Sequence, residues 1–177
     1  DDLTEYYVLI DATAFDDSLS NSYAGISSTT TLSFTTVSVA PTLSSSTPAD
    51  NATAVGVNAN IVLNFSKIVD VETGNITLKK TSDNSTVETI DVTGSKVTGT
   101  GTTQITVNPA VTLDDLTEYY VLIDATAFDD SSSNSYAGIS STTALSFTSA
   151  NVLPTLSSST PADDATDVER DANIVLN

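Results

Sequence analysis

The chain has 177 residues, with 23 Asp and Glu against five Lys and Arg, a formal net charge of −18 that argues against nucleic acid and anionic membrane surfaces as partners. It contains no Cys and no His, which excludes disulfides, thiolate metal sites and histidine-based catalytic triads. Repulsion among so many carboxylates opposes compaction, so a divalent cation is the first ligand to consider.

The seventeen residues Asp1 to Asp17, DDLTEYYVLIDATAFDD, stand again at Asp114 to Asp130. Residues 1 to 64 match 114 to 177 at a constant offset of 113, with eleven differences, at positions 19, 31, 36, 37, 38, 40, 51, 54, 56, 57 and 58. That period is too long for a solenoid unit and suits one small domain. The expected organisation is the closing strands of a preceding unit in residues 1–36, a linker at 37–40 and a complete unit at 41–149. A linker at 150–153 and the opening strands of a following unit at 154–177 complete it. The whole reads as a section of a longer repetitive chain.

In chain order, TTTLSFTT ends the first partial unit with Leu32 and Phe34 alternating with small hydroxylic residues, as in a half-buried strand. Leu43 marks the first strand of the complete unit, and TPADNATAV carries turn chemistry after it. NIVLNF places Ile61, Leu63 and Phe65 on one face, and SKIVDVETGN reads as an acidic loop. Further short strands follow around Ile76 and Leu78, Ile90 and Val92, Val97, and Ile105 and Val107. The repeated stretch is a strand with Tyr119, Val121, Ile123 and Ala125 on one face, and TTALSFTS closes the unit with Leu145 and Phe147. About seven short strands with frequent turn signals and no helical periodicity predict an all-β, immunoglobulin-like sandwich. Tyr119 stands where such sandwiches often keep a tyrosine whose hydroxyl bonds back to nearby backbone; an ordinary buried aromatic is the alternative.

The order PTLSSSTPADNATAVGVNANIVLNFSKIVD, GNITL, TEYYVLIDATAFDDSSSNSYAGIS and LSFT resembles the bacterial Ig-like repeats first described in S-layer proteins and common in very large surface adhesins. One departure is SSSNSYAG around Asn134, where the family commonly has Gly before Asn. The resemblance implies an extracellular protein, secreted or on the bacterial cell surface, in which such domains are spacers; it does not imply an enzyme.

The strand order of such a sandwich brings Asp70, Glu72, Asp129, Asp130 and Asn134 to one pole and Asp50, Asp114 and Asp115 to the other. In a head-to-tail array, Asp1 and Asp2, the counterparts of Asp114 and Asp115, then approach Asp70 and Asp129. Asp1, Asp2, Asp70, Glu72, Asp114, Asp115, Asp129, Asp130 and Asn134 are the candidate ligands for Ca²⁺, a hard cation that takes six to eight oxygens. The alternative is that Asp and Asn serve turns and solubility. No loop has the EF-hand spacing. Lys67, Lys79, Lys80 and Lys96 read as surface lysines.

Three functions follow. The leading one is a structural spacer of a large extracellular adhesin or filament, its partners the neighbouring repeats and its joints stiffened by calcium. The second is a repeated module binding a cell-surface glycan or protein. The third is an accessory domain of a secreted hydrolase.

Overall fold

The computed structural model describes residues 2–177; Asp1, one of the candidate ligands, lies outside the described residues. Fourteen strands and no helix make up the described residues. In the first partial unit β1 (Glu5–Tyr7) pairs antiparallel with β2 (Ser33–Thr35). The complete unit holds β3 (Leu43–Thr47), β4 (Ala52–Val55), β5 (Ile61–Val71), β6 (Asn75–Lys80), β7 (Thr86–Asp91), β8 (Val97–Thr98), β9 (Thr102–Val107), β10 (Glu118–Ile123), β11 (Phe128–Asp129) and β12 (Ser146–Ser149). After it, β13 (Ser159–Thr160) pairs with β14 (Val175–Leu176).

The strands of the complete unit form two sheets, one in the order β4-β12-β10-β6-β7 and one in the order β11-β5-β9-β8, with β3 also on β5. Alternation decides what lies between them. Ile61, Leu63 and Phe65 from one sheet meet Ile76, Leu78, Tyr119, Val121, Ile123 and Phe147 from the other, all buried. Such side chains each contribute on the order of 1.5–3 kcal/mol by leaving water. An all-β sandwich is therefore the architecture, as the periodicity predicts.

Three details depart from expectation. Ser66 to Val71 is not a loop: β5 continues through it, with a register shift between Asn64 and Val69 that turns Val69 into the core. The turn-like NATAV segment contains β4, which pairs parallel with β12, Ala52 opposite Phe147 and Val55 opposite Ser149. Ala125 does not join the inward face, because β10 ends at Ile123 and the chain turns so that Ala127 and Phe128 fill that part of the core. Ten strands rather than about seven result, since the first strand is broken into β3 and β4 and two-residue pieces close the edges.

The repeat makes the role of the core visible. Tyr119 and Phe128 are 1% and 0% exposed, whereas their counterparts Tyr6 and Phe15 in the first partial unit are 41% and 61% exposed. The sequence of β1 and β2 is the same as that of the first half of β10 and most of β12; what differs is the presence of facing strands.

Candidate functional site at the joint between repeats

The joint is built around Asp130, which opens the turn DSSSN. Its Oδ1 accepts from the backbone N–H groups of Ser132 and Asn134, both at 2.9 Å, and the Asn134 side-chain amide donates to the same carboxylate at 3.0 Å. Asp17 repeats this arrangement with Leu19 and Asn21 in the preceding unit, so the turn is encoded locally. Asp130 is 7% exposed. Burial pushes its carboxyl upward, but the donors of Asn134, Lys67 and Ser132 outweigh that and hold it well below the ordinary carboxylate range.

Lys67 carries the contact across the joint. Its Nζ donates to Asp130 Oδ2 at 3.0 Å, to the Val39 carbonyl at 2.6 Å, and to Asp2 Oδ2 of the preceding unit. Asp2 in turn accepts the Val39 N–H at 3.2 Å, so one residue of the connector is held through both of its backbone polar groups. The Asn134 amide donates to Ser38 Oγ, a second hold on the same connector. The hydrogen bond from Lys67 lowers the Asp2 carboxyl, and the bonds to Asp2 and Asp130 raise the Lys67 ammonium. Side-chain exposures of 27% for Lys67 and 26% for Asp2 place this pair between the solvated and buried cases.

At the opposite pole the same connection recurs. Asp115, the counterpart of Asp2, accepts the Val152 N–H at 3.2 Å, as Asp2 does with Val39. Asp114 pairs with Lys80 at 2.5 Å, which raises the lysine, and its N–H donates to Tyr119 Oη at 2.9 Å. The tyrosine hydroxyl thus bonds back to backbone five residues upstream, the corner foreseen for that position.

Of the remaining candidates, Asp70 and Asp129 face each other across β5 and β11, and Glu72 continues that edge through its N–H on the Ala127 carbonyl. Asp129 Oδ1 is buried and receives no hydrogen bond from the described residues. Asp70 Oδ1 accepts from Thr100 Oγ1 at 3.3 Å. Where the sequence reading gathers these groups at one pole with Asp2 beside Asp70 and Asp129, the structure brings Asp130, Asn134 and Asp2 together around Lys67 and the connector and leaves Asp70 and Asp129 as a separate pair. Among the described residues no three acidic side chains group closely enough to form a metal cluster. Other carboxylates accept backbone N–H groups, Asp83 from Ser85 and Asp91 from Thr93 within turns, and Asp124 from Asn75 far away in sequence.

Sequence reasoning missed Lys67 as a joint residue. Its signal was available, since it lies in the stretch already placed at the joint and is one of only five basic residues in a strongly acidic chain. What hid it was the search for cation ligands among acids, when the chain supplies a cation of its own.

A family model described as bacterial Ig-like domain matches residues 37–149. The chain belongs to this bacterial Ig-like family. The match spans one full period, residue 150 being the counterpart of 37, and bacterial Ig-like domains are a non-catalytic kind of domain. None of the curated proteins matched. Among solved structures, the crystal structure of the S-layer protein rSbsC(31-844) aligns at 17% identity and a TM-score of 0.42, over 68% of this chain and 15% of that one. The crystal structure of the N-terminal part of the bacterial S-layer protein SbsC aligns at 18% identity and a TM-score of 0.43, over 67% of this chain and 25% of that one. The bacterial Ig-like chain therefore spans a quarter or less of the length of these S-layer proteins. No helix among its described residues is long and apolar enough to cross a membrane.

Proposed function

We propose that this chain is part of a tandem array of bacterial Ig-like domains serving as a structural spacer in a large extracellular adhesin or surface filament, on the bacterial cell or secreted from it. The observation that carries the reading is the connector: Val39 is held by Asp2 of one unit and Lys67 of the next, and the Val152 N–H is held by Asp115 as that of Val39 is by Asp2. A linker meant to swing freely would leave its peptide groups to water. Family membership and the near-identity of the repeats support a role that depends on repetition rather than on a unique catalytic site.

Calcium enters this proposal at one place, the edge formed by Asp70 and Asp129. These side chains supply part of the six to eight oxygens that Ca²⁺ takes, with backbone carbonyls and water for the rest. At Lys67 the ammonium already lies between Asp2 and Asp130, and a divalent ion there would meet like charge. The spacer reading is tested by small-angle scattering on a protein of two consecutive complete units. An elongated particle with a maximum dimension near twice that of one unit is expected, and a compact or broadly distributed one contradicts it. Melting in Ca²⁺ and in chelator tests the metal: a higher Tm with Ca²⁺ is expected, lost on Asp129→Asn, and equal curves remove calcium from the account.

A further inference from the structure

The charge of the complete unit is unevenly placed. Residues 41–149 carry twelve Asp and Glu against four Lys, a net −8, and none of these sixteen falls in 43–47, 61–65, 97–98 or 102–107. Those segments lie side by side in one sheet, in β3, β5, β9 and β8. Their inward side chains, Ile61, Leu63, Phe65, Val97, Ile105 and Val107, fill the core, so the alternate ones form the open face of that sheet.

Register sets this face in two rows. Thr47, Val62, Thr106 and Thr98 stand next to one another across the four strands. Ser45, Asn64 and Gln104 form the second row, which is hydrogen-bonded along its length: Asn64 Nδ2 donates to Ser45 Oγ at 3.1 Å, and Gln104 Nε2 to Asn64 Oδ1 at 2.8 Å. The first of these links recurs in the following unit, where Asn177 Nδ2 donates to Ser158 Oγ at 3.1 Å. Side chains held in this way before a partner arrives lower the ordering cost of contact. The outward face of the other sheet differs, for it carries Lys79, Asp91 and Glu118.

Acids outnumber lysines three to one in the unit, so its charged sides repel a second copy. The neutral face lets two copies close without burying an unpaired carboxylate. Amides and hydroxyls both donate and accept, so the face complements itself across a two-fold axis. Its seven side chains, at a strand spacing of about 4.8 Å and a two-residue repeat of about 6.8 Å, cover on the order of 250 Å². A stable interface needs about 800 Å² from each partner. One unit therefore holds its copy weakly, and about three units side by side reach the stable size, which tandem repetition supplies.

We propose that the outward face of β3, β5, β9 and β8 is a lateral contact between copies of this chain, through which neighbouring arrays pack side by side. The contact goes beyond the spacer reading and fails separately from it: a compact particle in scattering removes the spacer and leaves the contact, whereas loss of the contact leaves an elongated spacer.

The chain has no cysteine, and Gln104 and Thr89 have no counterparts in the partial units, so a single introduced thiol reports one face of the complete unit. Full-length chain carrying Gln104→Cys is treated with a short bismaleimide and compared with chain carrying Thr89→Cys, on the outward face of the other sheet. Several-fold more covalent dimer is expected from Gln104→Cys, and more again as NaCl is added, because salt screens the repulsion between the acidic bodies. Adding Asn64→Asp should bring the yield down to that of Thr89→Cys. Thr98→Glu, at an exposed site outside the hydrogen-bonded row, should do the same without touching that row. Equal yields from the two cysteine positions, as a neutral polysaccharide occupying the face would give, or a yield unchanged by both added charges, overturn the proposal.

Discussion

Ser133 adopts φ +59, as its counterpart Ser20 adopts φ +64, at the position where related repeats commonly carry Gly. The turn around Asp130 demands a left-handed residue there, and Ser meets the demand at a cost. Ser133→Gly is therefore expected to raise stability by about 0.5 kcal/mol, the relief being partly offset by the entropy of the freer unfolded chain. Asp130→Ala removes the acceptor for two backbone N–H groups and for Lys67, and should cost about 2 kcal/mol in urea denaturation of the complete unit. Tyr119→Phe leaves the Asp114 N–H without its partner and should cost about 1 kcal/mol. The pH dependence follows from the same groups. The Asp2 and Asp130 carboxyls are held below their ordinary value, so their contribution is complete above about pH 4 and is lost as the pH falls toward their folded values. The Lys67 ammonium is raised, so its contribution persists through neutral pH and is lost only above its ordinary pKa of 10.5. Acid titration followed by tyrosine fluorescence is expected to show the joint loosening below about pH 4 and no transition between about pH 5 and 9. The Tyr119 corner was legible in the sequence because strand order fixed its place; Lys67 was not, because side-chain reach across a joint has no signature in a linear pattern.

Most elements of the sandwich could be read from alternation, and each miss has a physical source. The spacing of Ile61, Leu63 and Phe65, and of Ile76 and Leu78, marks the inward faces correctly because one side of each strand is buried more deeply than the other. Ser66 to Val71 escaped because the bulge after Asn64 breaks the period of two, so a continuous strand looks like an acidic loop. β4 escaped because Asn51 before it and Ala54 within it take positive φ, 59° and 55°, and a segment with that chemistry resembles a turn. Its strand character comes from β12 beside it, which no local rule detects. Within one sheet Phe65 of β5 sits against Phe128 of the neighbouring β11 at 5.3 Å and edge-on to Tyr136 of the following loop at 5.2 Å. Phe65→Ala is expected to cost about 3–5 kcal/mol in urea denaturation, because β5, β11 and the Tyr136 loop lose packing at one point. In the first partial unit Phe15 and Tyr23, the counterparts of Phe128 and Tyr136, stand 6.5 Å apart and remain exposed. The same two aromatics thus show what β5 contributes by bringing Phe65 against both.

At the scale of the whole molecule, the repeat turns one local arrangement into a series. Val39 and Val152 occupy equivalent positions in two connectors whose neighbouring residues differ, and the N–H of each donates to an equivalent aspartate at 3.2 Å. The acidic excess, read from the sequence as a demand for cations, is answered at the joint by a lysine between two carboxylates. That balance predicts a joint weakened by salt and by loss of Lys67, with the units themselves intact. Lys67→Gln should accordingly leave the melting temperature of the complete unit nearly unchanged while freeing the connector. The most direct test is a distance distribution from spin labels at Ser28→Cys and Ser141→Cys, equivalent sites in successive units, in a protein whose units on both sides of this joint are complete. The account predicts a single narrow distribution that broadens in Lys67→Gln; equal widths in the two proteins would contradict it.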